Sequence, residues 1–318
     1  MLPWFFYWGS SVPGVKNQHY VPRFYLKSFT DGAGFLSVVR CDAGGLKPVF
    51  RTKPENVCAE NYLYEVRRRQ ALGEDGFVEK GVIEDTLGKI ENDLALSYRS
   101  LLSYLDSGKM PKGEECVELI TRLAFLLAFF IVRNPKWLNE VRGNSGAHSV
   151  ELLSSGFFTD EDILQMDLAG YGGEFEAIVE LAYLDTALFR LDKGAPLYDL
   201  LVLLLDMDCL FYIAPDGNEF VTTSLPVHVE WKDESDENPC GIYFPLSPRH
   251  AVVFRQRLKE DRYVSIARMA VIEVDSFNRV LMNGDRLWEF LIAKDRLYLE
   301  RLIGQYQPGF RTSDNLLT

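Results

Sequence analysis

Six residues of this chain have the types needed to move a proton and to hold an anion: His19, Arg23, Glu65, Glu91, Arg133 and Asn278. A histidine beside carboxylates can run general acid–base hydrolysis or hold one divalent ion. Arginines orient a phosphate through two parallel hydrogen bonds. On this reading His19, Glu65 and Glu91 are catalytic, and Arg23, Arg133 and Asn278 bind substrate. The reaction class is hydrolysis of a phosphodiester, nuclease-like, with Mg²⁺ or Mn²⁺ as the candidate cofactor. The same charges could instead form a buried network that fixes an N-terminal lobe onto helices, in a non-catalytic interaction or assembly module.

The densest stretch is Asn17–Phe29, which holds one of the chain's four histidines, Arg23 and four aromatic residues. Pro22 suits the start of a short helix, and Asp31-Gly32 and Gly34 suit its end. Other groupings carry less. Pro215-Asp216 followed by Glu230-Trp231-Lys232 mimics the acid and lysine pattern of metal-dependent nucleases, although Pro-Asp-Gly-Asn is turn chemistry in its own right. Asp206-Met207-Asp208 stands at a helix-to-strand junction. His148, His228 and His250 have no partner at metal-ligand spacing. Gly170-Tyr171-Gly172-Gly173 lacks the spacing of a dinucleotide-binding loop.

These residues must be positioned by a chain of 318 residues, 47 % of them hydrophobic, with net charge −12. The charge is uneven. Residues 15–70 hold ten Lys and Arg and five acids, hence +5, which leaves −17 for the remainder. The acidic balance excludes a general nucleic-acid coat, but the basic N-terminal part could offer a local phosphate-binding face. Five dispersed cysteines without a Cys-x-x-Cys point to a reducing, cytoplasmic compartment. Leu119–Val132 is too short to span a bilayer, so no membrane partner is expected. Met1–Trp8 is an aromatic arm, and Trp4–Trp8 could mediate homo-oligomerisation.

Periodicity places β structure at Phe35–Cys41, Leu46–Arg51 and Tyr62–Val66. Helical spacing then runs from Phe77 to Leu105, with Glu84 and Glu91 seven apart on one edge. A core helix follows from Glu114 to about Arg133, where a cation suits the helix dipole. Asn134-Pro135 stops or kinks it, Gly143–Gly146 reads as a loop, and Thr159 as the cap of a short acidic helix. Glu174–Leu191 is an amphipathic helix and Leu197–Asp206 an apolar segment. Cys209–Ile213 and Glu219–Thr223 read as a hairpin. Further strands fall at Val227–Trp231, Gly241–Phe244 and Ala251–Arg255, and Asp275 as the cap of a helix pair over Phe277–Gln305. The class is α+β: a small N-terminal β region, a central helical core, late antiparallel hairpins and C-terminal helices. One compact unit is expected, with subregions 15–70, 77–206 and 207–305.

Several motifs in order resemble a bacterial family known as domain of unknown function 4238. They are Gln18-His19-Tyr20-Val21-Pro22-Arg23-Phe24-Tyr25-Leu26, Val57-Cys58-Ala59-Glu60 with Leu63-Tyr64-Glu65, and Ile83-Glu84 with Ile90-Glu91. Leu127–Pro135, Phe220–Val227, Phe244-Pro245-Leu246-Ser247-Pro248 and Asn278 complete the set. The resemblance implies a site without naming a reaction. By analogy to where such families occur, it suggests a toxin or phage-defence effector. The chain departs from the family where Ser224 and Leu225 replace an expected Asp-Asn pair.

Overall fold

The computed structural model describes residues 16–42, 45–68, 76–154, 173–232, 238–257, 263–283 and 288–305, with positions 161, 164, 165 and 168. The aromatic arm at Trp4–Trp8, the Thr159 cap and Gly170–Gly172 lie outside them. The fold is α+β. Its residues group into two compact units, neither of them a continuous stretch. The first comprises Met1–Pro22, Cys58–Leu101 and Lys112–Asp206. The second comprises Arg23–Val57, Leu102–Pro111 and Met207–Thr318. Subregion 15–70 is therefore divided between the two.

The first unit is mainly helical. The helix Val82–Ser107, which belongs to this unit as far as Leu101, buries Ile83, Leu87, Leu94, Tyr98 and Leu101 at steps of three, four and seven, one apolar face. Glu114–Val132 starts with Glu114 and Glu115, which suit its positive end. Its second half is buried on nearly all sides, from Leu119 to Val132, and it packs against Pro196–Leu205. Asn134 does more than stop this helix. Its Oδ1 accepts the Lys136 N–H at 2.8 Å, and Pro135 opens the next helix, Pro135–Ser154. That helix runs through the expected loop at Gly143–Gly146. Leu138, Val141, Ser145 and Ser149 are buried at helical spacing, and this packing overrides two glycines. Phe175–Phe189 lies against it. Two short antiparallel pairs complete the unit, Asn17–His19 with Ala59–Asn61 and Val66–Arg67 with Phe77–Val78. The strand expected over Tyr62–Val66 is mostly a turn, with Tyr62 at φ 59°.

The second unit contains two five-stranded sheets. In one, the order is His228–Glu230, Gly241–Pro245, His250–Arg255, Asp208–Ile213 and Val264–Arg268, antiparallel except for the last pair. In the other, Leu36–Asp42 pairs with Gly45–Leu46, Phe50–Thr52 and Phe290–Ala293, and the last also pairs with Thr222–Thr223. The hairpin expected across Pro215–Asn218 is absent. The turn forms, with Asn218 N–H bonded to the Pro215 carbonyl at 3.2 Å, but its flanking strands join different sheets. Phe220 and Val221 are fully buried instead, Phe220 edge-on to Phe277 and Val221 bonded to Asn278. The last helix pair is Val271–Asn283 and Arg296–Gln305, separated by the buried Phe290–Ala293 strand. Asp275 sits inside the first helix. Asp295 caps the second, accepting the Tyr298 N–H at 2.7 Å.

The aromatic half of the opening motif is core in this unit, with Tyr25, Leu26 and Phe29 fully buried. The Tyr25 Oη donates to the Pro245 carbonyl at 2.7 Å and lies 2.7 Å from Thr222 Oγ1. Tyr25→Phe should cost about 1–3 kcal/mol, because the Pro245 carbonyl is left buried without that donor. Urea unfolding of the two proteins measures the difference.

Candidate functional site

The polar cluster of the first unit is built around Arg133, at the C-terminal end of the Glu114–Val132 helix and 1 % exposed. A buried cation must spend its donors on protein acceptors. Nη1 donates to Glu91 Oε1 at 2.6 Å and Nε to Tyr64 Oη at 3.0 Å, while Nη2 donates to the His19 carbonyl. The Phe129 ring lies 4.9 Å from the guanidinium carbon. Burial works against the charge, but Tyr64 and Glu91 outweigh it and raise the pKa of Arg133. Burial pushes the Tyr64 hydroxyl up to about 12, so it remains a neutral donor, given to the His19 carbonyl at 3.1 Å.

Gln18 carries the same logic one residue earlier. It is fully buried, its Nε2 donates to Glu65 Oε1 at 2.7 Å, and its Oε1 accepts the Tyr64 N–H at 2.8 Å. Glu65 also accepts the Gly81 N–H at 3.2 and 3.1 Å, so its carboxylate is fully engaged in joining three chain segments. Glu84 differs. In the first turn of the Val82–Ser107 helix, it has a buried Oε2 without a hydrogen-bond partner among the described residues. Burial pushes its carboxyl up to about 7; Arg133 pulls down, and Glu91 and Glu65 push further up. A half-buried acid poised near neutrality beside a fixed cation has the properties of a proton-transfer group.

Backbone strain gathers at the same place. Cys58, Tyr62 and Glu79 have φ of 56°, 59° and 47°, a left-handed region that costs a non-glycine residue about 1–3 kcal/mol. They flank Tyr64 and Glu65 in sequence. Cations decorate this unit too. Lys16 lies 5.9 Å from the Tyr62 ring centre, and Arg67 and Lys80 lie 5.5 and 5.9 Å from that of Phe77. The two rings are 4.9 Å apart.

The six expected site residues thus separate. His19, Glu65, Glu91 and Arg133 belong to one unit, and His19 enters the network through its carbonyl. Arg23 is exposed in the second unit. Asn278 is buried there, where it accepts the Val221 N–H at 3.0 Å and donates to the Glu219 carbonyl and Tyr298 Oη at 2.9 and 3.0 Å. Glu84 was visible in the sequence as the partner of Glu91 along one helix edge. Tyr64 and Gln18 carried no signal beyond their place in the motifs.

Other groupings resolve as local structure. Asp216 lies 3.8 Å from Arg249, and Glu230 accepts the Tyr243 hydroxyl at 2.7 Å, so each of these acids has a local partner. His250 is buried, with Nδ1 3.1 Å from Ser247 Oγ and Nε2 3.6 Å from Asp106. Burial lowers its pKa to about 4. Ser247 Oγ accepts the N–H groups of Arg249 and His250, which fixes it as a turn residue. Among the described residues no group of three His, Cys, Asp or Glu side chains could hold a metal ion. Nor is any of their helices long and apolar enough to cross a membrane.

Residues 17–162 match the model of a family described as "Protein of unknown function (DUF4238)", a span that includes every member of the Arg133 cluster. No curated protein and no solved structure matches the chain.

Proposed function

We propose, from the premise that the chain belongs to this family of unknown function, that it is a hydrolase of phosphodiesters whose proton-transfer group is Glu84. The observation that carries the reading is the contrast among three neighbouring glutamates. Glu65 is saturated by Gln18 and Gly81, and Glu91 is paired with Arg133. Glu84 keeps a buried oxygen that no group among the described residues satisfies. A carboxyl with only a structural duty would be bonded as Glu65 is.

In this reading Glu84 gives its proton to the leaving oxygen as the P–O bond breaks. Water supplies the new P–O bond, and the His19 imidazole takes its proton. Arg133 is a positioning residue that fixes Glu91 and the His19 backbone. No step is routed through a metal ion. The phosphodiester class is supported by Lys16, Arg67 and Lys80 around the Tyr62–Phe77 ring pair, since cations interleaved with aromatics suit a nucleic-acid strand. Five free thiols support a reducing compartment, the cytoplasm. A toxin or phage-defence role is consistent with this chemistry but rests on analogy alone.

One observation favours the alternative of an interaction module. Arg133 spends its donors inside its own unit, as an architectural anchor would. The test is turnover of bis(4-nitrophenyl) phosphate and of short single-stranded oligonucleotides by the full chain. Glu84→Gln should lower the rate by about 100-fold or more without lowering the melting temperature. Arg67→Ala should raise KM for the oligonucleotide and leave kcat unchanged. Absence of turnover in the unaltered protein, or full activity in Glu84→Gln, removes the hydrolase reading and leaves the module.

A further inference from the structure

The second unit contains a pocket of about 490 Å³ that the cluster around Arg133 does not use. This volume is in the range of small-molecule sites. Its wall includes Asn218 and Glu219 after the Pro215–Asn218 turn, Asp295 before the last helix, and Leu297, Tyr298 and Arg301 on that helix. All lie outside the segment matched by the family model.

Both signs of charge meet there without being paired to each other. Glu219 Oε1 accepts the Asp295 N–H at 2.9 Å, which holds the Glu219 carboxylate against the start of the last helix. Neither Glu219 nor Asp295 has a Lys or Arg within ion-pair distance among the described residues, and Arg301 has no acidic partner among them either. Glu219 is 8 % exposed, so its charge is poorly solvated. Burial and the Asp295 charge push its carboxyl up to about 7, against the Asp295 and Lys294 N–H bonds and the Lys294 charge. A small cation placed here would offset the charge of the buried Glu219 and of the exposed Asp295, whose Oδ1 also accepts the Tyr298 N–H at 2.7 Å. Arg301 stands 4.9 Å from the Tyr298 ring centre and offers a guanidinium fork suited to a carboxylate. Tyr298 is fixed in turn, its Oη accepting from Asn278 at 3.0 Å and donating to Asp275 at 3.4 Å. Leu297 is 74 % exposed, a large apolar side chain on the pocket wall.

We propose that this pocket binds a small zwitterion with an apolar side chain, in the manner of an aliphatic amino acid. The ammonium sits at Glu219 and Asp295, the carboxylate at Arg301, and the hydrocarbon against Leu297. The proposal is independent of the hydrolase reading, since it shares no residue with it.

Titration calorimetry of the full chain with L-leucine, L-leucinamide and N-acetyl-L-leucine tests it near neutral pH. L-leucine should bind, and each blocked form should bind at least about tenfold more weakly. Arg301→Ala should weaken L-leucine to the level of L-leucinamide and leave L-leucinamide unchanged. Glu219→Gln should weaken both amines and leave the N-acetyl form unchanged. Circular dichroism confirms that the variants fold. Three outcomes each overturn the proposal: no binding at about 10 mM, equal affinity for all three compounds, or undiminished leucine binding in Arg301→Ala.

Discussion

Arg133→Ala is expected to destabilise the first unit by about 3–5 kcal/mol, the usual cost of removing one partner from a buried ion pair. The substitution leaves Glu91 without its cation and the His19 carbonyl and Tyr64 hydroxyl without a guanidinium donor. It also opens a hole beside Phe129. The loss should be largest for the uncompensated change. Arg133→Leu combined with Glu91→Leu removes both charges and restores volume, so it should recover much of the stability. Urea unfolding of Arg133→Leu, Glu91→Leu and the double variant measures the coupling directly. A wild-type midpoint for Arg133→Ala would show that the network bears no weight. Arg133→Lys should resemble alanine more than wild type, because one ammonium cannot serve three acceptors in this geometry.

The second large effect is a dependence of stability on pH that runs opposite to ordinary acid denaturation. The Glu84 carboxyl titrates near 4.5 when unfolded and near 7 when folded. Between those values the folded state holds the proton and the unfolded state has released it. Stability contributed by this group is therefore fully present below about 4.5 and is lost as pH rises to about 7. The gap between the two values corresponds to about 3 kcal/mol. Glu84→Gln should erase it, so the variant should exceed the parent in stability at pH 8 and equal it below 4.5. Glu219 follows the same sign in the second unit. His250 opposes both: its neutral form is favoured on folding, and its contribution is lost as pH falls from about 6.5 to about 4. Both backgrounds contain these two groups, so the difference between parent and Glu84→Gln isolates Glu84. Melting curves across the range provide the measurement, and a flat difference would show that Glu84 is solvated.

Much of this was readable beforehand. The two long helices follow from apolar spacing alone, and the α+β class from the order of the segments. Glu91 and Arg133 stand out by residue type and by their places on two long helical segments. What escaped was everything decided at long range. Phe220 and Val221 alternate like a strand, yet they are taken up by Phe277 and Asn278, which no local pattern announces. Gly143 and Gly146 signal a break, but the buried residues around them keep the helix going. Tyr64 reads as one more strand aromatic; its role comes from a hydroxyl placed between a guanidinium and a carbonyl. Glu219 reads as turn-flanking polarity and becomes a buried acid only when the last helix is placed beside it.

The pairing of Leu36–Asp42 with Phe290–Ala293 has a consequence for biogenesis. Arg40 stands opposite Phe290, 250 residues later. At ordinary translation rates of about 5–20 residues per second, the early strand waits roughly 12–50 s for its partner. Throughout that interval one edge of the strand lacks its native partner, while Gly45–Leu46 and Phe50–Thr52, made just after it, can pair with the other. The sheet that holds this strand is therefore completed only after Phe290–Ala293 has been made.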